Sequence, residues 1–156
     1  MLLNLPDDLR PVARPEFLET HEGDGCALPF SDRHFDICHS NSVIEHVGNW
    51  RRKVEFAREV TRVAQHYFHQ TPNFWFPWEP HFGMPIYHWL PEPIQLQIAC
   101  KRKLGWTPAA SNITDGMEVV EHASMLNRRM VSYLFPDAQI FQERFLGLTK
   151  SFIAMH

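Results

Sequence analysis

The chain has 156 residues, 44% of them hydrophobic and 13% aromatic, and a formal net charge of −3. That length and apolar content fit one globular domain with its own core and argue against disorder. The small negative charge gives no general attraction to nucleic acid or to an anionic membrane. No apolar run reaches the ~20 residues of a spanning helix.

Met1–Leu5 is a short apolar run. Charges and prolines through Pro15 replace the apolar block of a signal peptide, and Pro6, Pro11 and Pro15 break any long element. Cys26, Cys38 and Cys100 are odd in number and lack metal-type pairing, so reduced thiols in a cytoplasmic protein are expected.

Phe17–Glu22 reads as a short strand that runs into Gly23-Asp24-Gly25, an acidic residue between two glycines. Glycines let a backbone approach a ligand closely. A turn follows at Pro29-Phe30-Ser31-Asp32. Phe35–His39 is a strand that ends in the small polar residues Ser40-Asn41-Ser42. In open α/β sheets ligands sit beyond the carboxyl ends of strands. Two such ends, with the Asp24 carboxylate on one and the Asn41 amide on the other, suit a polar, nucleotide-like cofactor.

The clearest periodic element is the helix that follows Asn49, a plausible N-cap. Trp50, Val54, Ala57, Val60 and Ala64 fall on one face. Arg51, Arg52, Glu55, Arg58, Glu59 and Arg62 fall on the other, with Arg51–Glu55 and Glu59–Arg62 at pairing distance. Glutamates interrupt the basic side, which makes it a solvated face rather than a nucleic-acid patch. Tyr67–Thr71 is the next strand and ends at Thr71-Pro72-Asn73.

From Phe74 to Pro91 aromatics alternate with prolines, which excludes a regular helix. A stiff loop over the carboxyl edge of the sheet is expected. Glu79, His81 or His88 could take a proton there; the three lack standard metal-ligand spacing, and no metal is expected. The alternative is that the aromatics only cover the edge and the histidines bond backbone carbonyls. Pro91-Glu92-Pro93 starts a helix with Ile94, Ile98 and Ala99 as its narrow apolar face and Lys101, Arg102 and Lys103 at its end. Gly105 is the expected C′ residue.

Trp106–Gly116 reads as loop. Glu118–Met125 fits either a helix capped at Asp115 or an extended segment, with Asn127 then capping a helix to Leu134. Pro136 ends the helix in both cases. Gln139–Phe145 and Thr149–Met155 form strands around Gly147, hence an antiparallel hairpin.

Two of these motifs, in this order and spacing, resemble a class I S-adenosylmethionine-dependent methyltransferase of the small-molecule, type 11-like kind. They are Gly23-Asp24-Gly25-Cys26-Ala27-Leu28-Pro29-Phe30, which in that family lies beside the adenine, and Phe35–Val47, which is similar to the family's fourth strand and its loop. The resemblance implies an α/β, Rossmann-like sheet with a C-terminal antiparallel hairpin. It also implies S-adenosylmethionine as cofactor and methyl transfer to a small-molecule acceptor.

By position, Asp24 would accept from the adenine amine, and Cys26 or Ala27 would donate a backbone N–H to the ring. Gly25 belongs to the same loop, Leu28 would pack on the ring, and Ser40 and Asn41 would lie near the methionine end. His81, Glu79 and His88 become candidate catalytic groups, and residues 74–105 a loop and lid-like helix inserted after the fifth strand. Met1–Leu5 would be the tail of the second strand; of the residues there, Asn4, Asp7 and Asp8 are the weak candidates for the ribose hydroxyls.

No Gly-x-Gly-x-Gly is present, so the family's first strand and helix are expected to be missing and residues 1–156 to be one truncated domain with exposed strand edges. The rival expectation is a non-catalytic piece that dimerises or scaffolds through those edges. A nucleotide-sugar enzyme is disfavoured, because there is no phosphate-cradling loop or nucleophile elbow.

Overall fold

The computed structural model describes residues 2–4, 19–122 and 124–156. β1 (Leu2–Asn4) and β2 (Thr20–Glu22) pair in parallel, Leu2 opposite Thr20 and Asn4 opposite Glu22. Phe17, Asp7 and Asp8 lie outside the described residues. β3 (Phe35–Asn41), α1 (Trp50–Val63) and β4 (Ala64–Pro72) make a parallel pair with a helical crossover, the connection that parallel neighbours require.

β5 (Trp78–Glu79) and β6 (Met84–Pro85) form a two-residue ladder inside the aromatic segment. Then come α2 (Glu92–Lys101), α3 (Ile113–Glu121) and α4 (Arg128–Leu134). β7 (Gln139–Phe145) and β8 (Leu148–Met155) complete a sheet of order β3-β4-β8-β7, with β8 antiparallel to both neighbours. The expected mixed α/β sheet and closing antiparallel hairpin are both present.

Local chemistry explains most element boundaries. Asn49 caps α1, its side chain accepting from the Arg52 N–H at 3.1 Å. The Arg51–Glu55 and Glu59–Arg62 pairs form at 3.4 and 2.7 Å. The buried stripe of α1 is rotated from the expected one: Lys53, Phe56, Ala57, Val60 and Val63 face inward, whereas Trp50 is 39% exposed. The Lys53 ammonium accounts for the shift. It reaches the carbonyls of Ile44 and Glu45 at 3.0 and 3.4 Å and so lies inside the fold.

β3 runs two residues further than expected, its ladder continuing to Asn41 opposite Gln70. Ser42, at φ 53°, turns the chain out. β4 starts at Ala64 directly after α1, with no turn between them.

Three expectations fail in the helical segment. Gly105 is not the C′ residue of α2, which ends at Lys101 with Arg102 as its C-cap. Instead Gly105, at φ 53°, makes the turn between Leu104 and Thr107. The cap of α3 is Asn112, not Asp115, because the Asn112 side chain accepts from the Asp115 N–H at 3.0 Å. Gly116 therefore sits within a helix, not a loop. A Cβ there would lie 2.5 Å from Leu96 Cδ1 and 2.9 Å from Cys100 Sγ, so glycine is what lets α3 press against α2. Asn127 does cap α4, accepting from the Met130 N–H at 3.0 Å.

The main core joins α1, α4 and the inner sheet face around Ile44, Phe56, Val60, Leu126, Val131 and Phe135. A smaller cluster of Phe82, Tyr87, Ala99 and Leu104 anchors the aromatic segment. On the other side β3 is bare: among the described residues no strand joins its outer edge to β1–β2, and Ile37 is 66% exposed.

His69 on β4 is fully buried, stacked on Phe135 at 4.6 Å with Phe56 edge-on, and neither ring nitrogen has a partner among the described residues. Burial pushes its pKa down to about 3. A histidine depressed below its unfolded value of ~6.5 contributes its full stability above pH 6.5 and loses it as pH falls toward 3. Urea titrations of the wild type at pH 7.5 and 4.5 should show a loss at acid pH that His69→Phe reduces by about 2–3 kcal/mol. Equal losses in both proteins would count against this placement.

Candidate active site

The carboxyl ends of β3 and β4 meet at one rim of the sheet. Just beyond β3, Ile44–His46 form a short 3-10 turn that drives the Glu45 side chain inward. Glu45 is 1% exposed. Its Oε2 accepts from Thr71 Oγ1, at the end of β4, at 3.1 Å; its Oε1 has no partner among the described residues. Burial raises its pKa above the usual carboxylate value.

His81 comes in from the β5–β6 segment. Its Nδ1 lies 2.5 Å from Glu79 Oε1, and its Nε2 faces Glu45 Oε1 at 3.9 Å. Glu79, also buried, accepts a second bond from the Phe82 N–H at 2.6 Å. Burial alone would raise the Glu79 carboxyl and lower His81. The bonds from His81 and Phe82 reverse the first effect, and the Glu79 bond with the nearby carboxylates reverses the second. Glu79 therefore stays ionised, and its bond selects the His81 tautomer with a proton on Nδ1.

His46 and His122 complete the cluster. His46 Nδ1 bonds the His122 carbonyl at 3.0 Å. The His46 ring centroid lies 4.6 Å from that of His81 and 4.8 Å from that of His122. Packing of the rings against one another and the fold partly desolvates His46 and His122, exposed as the residues are overall, and holds both below the ordinary histidine pKa. His122 also lines a cavity of about 450 Å³, with Phe82, Thr107, Glu118 and Val119 among others.

The sequence reading anticipated Glu79 and His81 here but missed Glu45, His46 and His122. An adjacent Glu-His pair just past a strand's carboxyl end was the available signal for the first two; nothing local marks His122, 76 positions from His46. His88 does not join them. Its Nε2 bonds the Phe74 carbonyl at 2.8 Å and its ring packs edge-on against Phe74. The expected trio of Glu79, His81 and His88 thus divides into a pair and a packing residue.

The Asp24 loop lies along α1. Arg52 in the first helical turn grips the Asp24 carboxylate through both oxygens at 2.8 Å. Arg62 in the last turn bonds the carbonyls of Leu28 and Phe30. A Cβ on Gly25 would lie 2.9 Å from the Phe56 ring, so this close approach needs glycine.

The backbone donors expected to face a ring are already engaged. The Cys26 N–H donates to Asp24 Oδ1, that of Ala27 to the Asp24 carbonyl, and that of Leu28 to Glu59. The Cys26 side chain is buried, with its thiol pushed up to about 11 by burial. Among the described residues Asp24 Oδ2 accepts only from Arg52, which leaves it one lone pair for a further donor.

Ser40 is turned into the fold, 7% exposed, and its hydroxyl has no partner among the described residues. Asn41 is exposed at the rim and, with Ser42, Gln70, Phe76 and Trp78 among others, lines a second cavity of about 510 Å³.

Comparison with known proteins fits this architecture. Residues 6–66 match the profile of the methyltransferase domain family. Two uncharacterised proteins of Mycobacterium tuberculosis, one from each of two strains, are 35% identical over 57 residues, which is 36% of this chain and 20% of theirs. The match thus spans about a fifth of the length of those relatives. A solved S-adenosylmethionine-dependent methyltransferase of Methanosarcina mazei superposes with a TM-score of 0.52 at 13% identity, covering 88% of this chain and 65% of that one. The chain shares the Rossmann-like fold of that methyltransferase, and its residues 6–66 are similar to the methyltransferase domain family.

Removing the Glu79 carboxylate strands two donors, the buried Phe82 N–H and the half-buried His81 Nδ1–H. Glu79→Ala should lower unfolding free energy by about 1–3 kcal/mol, and Glu79→Gln, which keeps an acceptor, by less than half as much. Thermal melts of the two variants compare them; equal losses would show that the bonds carry no stability.

Proposed function

We propose that this chain takes part in methyl transfer from S-adenosylmethionine to a small-molecule acceptor at the carboxyl rim of its sheet. The observation that carries the reading is the parallel β3–α1–β4 unit, whose strand ends bring together a polar rim, the buried Glu45 carboxyl and the His46 and His81 imidazoles.

The donor set fits the cofactor in part. Asp24 would hold the adenine amine through the open lone pair of Oδ2, and Asn41 would face the methionine end. Cys26 and Ala27 would contribute shape rather than hydrogen bonds, since their N–H groups are engaged. Leu28 and Gly25 would set the loop against α1, and Ser40 would support β3 from within.

The cofactor brings a methyl group already activated on a sulfonium, so the chain's work is proximity and orientation. His81, held by Glu79, would accept the acceptor's proton at Nε2. The aromatic segment and α2 would cover the acceptor and keep water out, a lid-like role supported by the exposed rings of Trp75, Trp78 and Trp89. No helix among the described residues is long and apolar enough to cross a membrane. The free thiols of Cys26, Cys38 and Cys100 fit a reducing compartment such as the cytoplasm.

A second reading rests on β3. A parallel edge that no other described strand covers, carrying an exposed isoleucine, would recruit another strand. Under that reading the chain is a non-catalytic module that pairs with a second copy. Light scattering decides: a dimer that Ile37→Lys converts to monomer supports it, and a monomeric wild type excludes it.

Calorimetry with S-adenosylhomocysteine tests the main proposal. Micromolar binding is expected, weakened roughly tenfold by Asp24→Ala or Asn41→Ala. No heat from a folded sample, or binding indifferent to both substitutions, would overturn it.

A further inference from the structure

Glu45 Oε1 is a buried carboxylate oxygen with no hydrogen-bond partner among the described residues. Two imidazoles flank it. One ligand atom from each of Glu45, His46 and His81 lies within 4.8 Å of the others. A tetrahedral site with ~2.1 Å bonds separates its donors by roughly 3.4 Å. The 3.9 Å between Glu45 Oε1 and His81 Nε2 is close to that, and small side-chain rotations would close the remainder.

Each histidine already has the outer partner that a ligand needs. Glu79 fixes the His81 proton on Nδ1, and the His122 carbonyl does the same for His46. Both Nε2 lone pairs are thereby left for an ion.

We propose that Glu45, His46 and His81 bind one divalent transition-metal ion, with Zn²⁺ as the probe and solvent filling the open side. Two imidazoles and one carboxylate suit Zn²⁺, Co²⁺ or Fe²⁺ and disfavour Mg²⁺ and Ca²⁺, which take oxygen ligands. The charges balance this assignment. The Lys53 ammonium faces the turn from within, held by the carbonyls of Ile44 and Glu45. The carboxylates of Glu45 and Glu79 offset both that charge and part of the ion's.

His46 and His122 are exposed and Glu45 is buried, so the ion would enter from solvent and reach its deepest ligand last. His81 Nε2 serves either the ion or an acceptor proton, and the two states alternate. The inference stands on the donor set and does not require the methyl-transfer reading.

The test is titration of the metal-stripped full chain with Zn²⁺ by calorimetry, with Co²⁺ visible absorption as a second readout. Expected are one Zn²⁺ per chain at micromolar or tighter affinity, a Co²⁺ ligand-field band, and no heat with Mg²⁺. His81→Ala and Glu45→Gln should each weaken Zn²⁺ binding at least tenfold. His66→Ala, a histidine away from the cluster, should leave binding unchanged.

If Glu45→Gln does not fold, His46→Ala at its exposed position decides, again with a tenfold loss expected. Absence of Zn²⁺ binding to the folded wild type, or binding unaffected by His81→Ala and His46→Ala, overturns the assignment. Binding of S-adenosylhomocysteine is read in a separate titration, so failure of one proposal is distinct from failure of the other.

Discussion

The parallel ladder between β3 and β4 is the constraint on which the rest depends. Its register, from Phe35 opposite Ala64 to Asn41 opposite Gln70, brings the carboxyl ends of both strands to one rim. Everything chemically notable follows from that placement. The turn after β3 carries Glu45 and His46, β4 ends in Thr71, which bonds Glu45, and the chain beyond it delivers Glu79 and His81. A slip of one residue would turn each β3 side chain to the opposite face and remove Glu45 from its partner.

Burying that acidic centre carries a cost, and the structure shows how it is offset. An isolated ionised carboxylate in a low-dielectric interior is strongly disfavoured. Glu79 escapes this through two short bonds, from His81 and Phe82. Glu45 has one bond from Thr71 and a lysine held at its own backbone carbonyl, and its pKa rises because burial outweighs them. A carboxyl half-satisfied among the described residues, beside two imidazoles, departs from the usual rule that buried polar groups are paired. Such departures concentrate at sites that do chemistry or hold a ligand.

Much of the architecture was legible from local signals. Asn49 and Asn127 announce their helices because an amide side chain can bond the free N–H groups of a first turn. Alternation and Gly147 announce the hairpin, because the turn needs φ 82° there. What was not legible depends on tertiary contact. The phase of α1 follows Lys53 reaching inward to two carbonyls, which periodicity cannot anticipate. Gly116 looks like a breaker until α2 is seen packed against it. The site divides in the same way. Glu79 and His81 stand out within an unusual aromatic stretch, whereas His122 becomes relevant only when folding brings it against His46. The engaged N–H groups of Cys26 and Ala27 were invisible too, because the loop's clamp by Arg52 and Arg62 is a long-range contact.

The convergence of three chain segments on one rim is tested most directly by nuclear Overhauser contacts among the histidine ring protons. With the His46 ring centroid 4.6 Å from that of His81 and 4.8 Å from that of His122, cross-peaks between His46 and both rings are predicted. A folded sample with the β3–β4 amide pattern intact but no cross-peak from His46 to either ring would contradict the account.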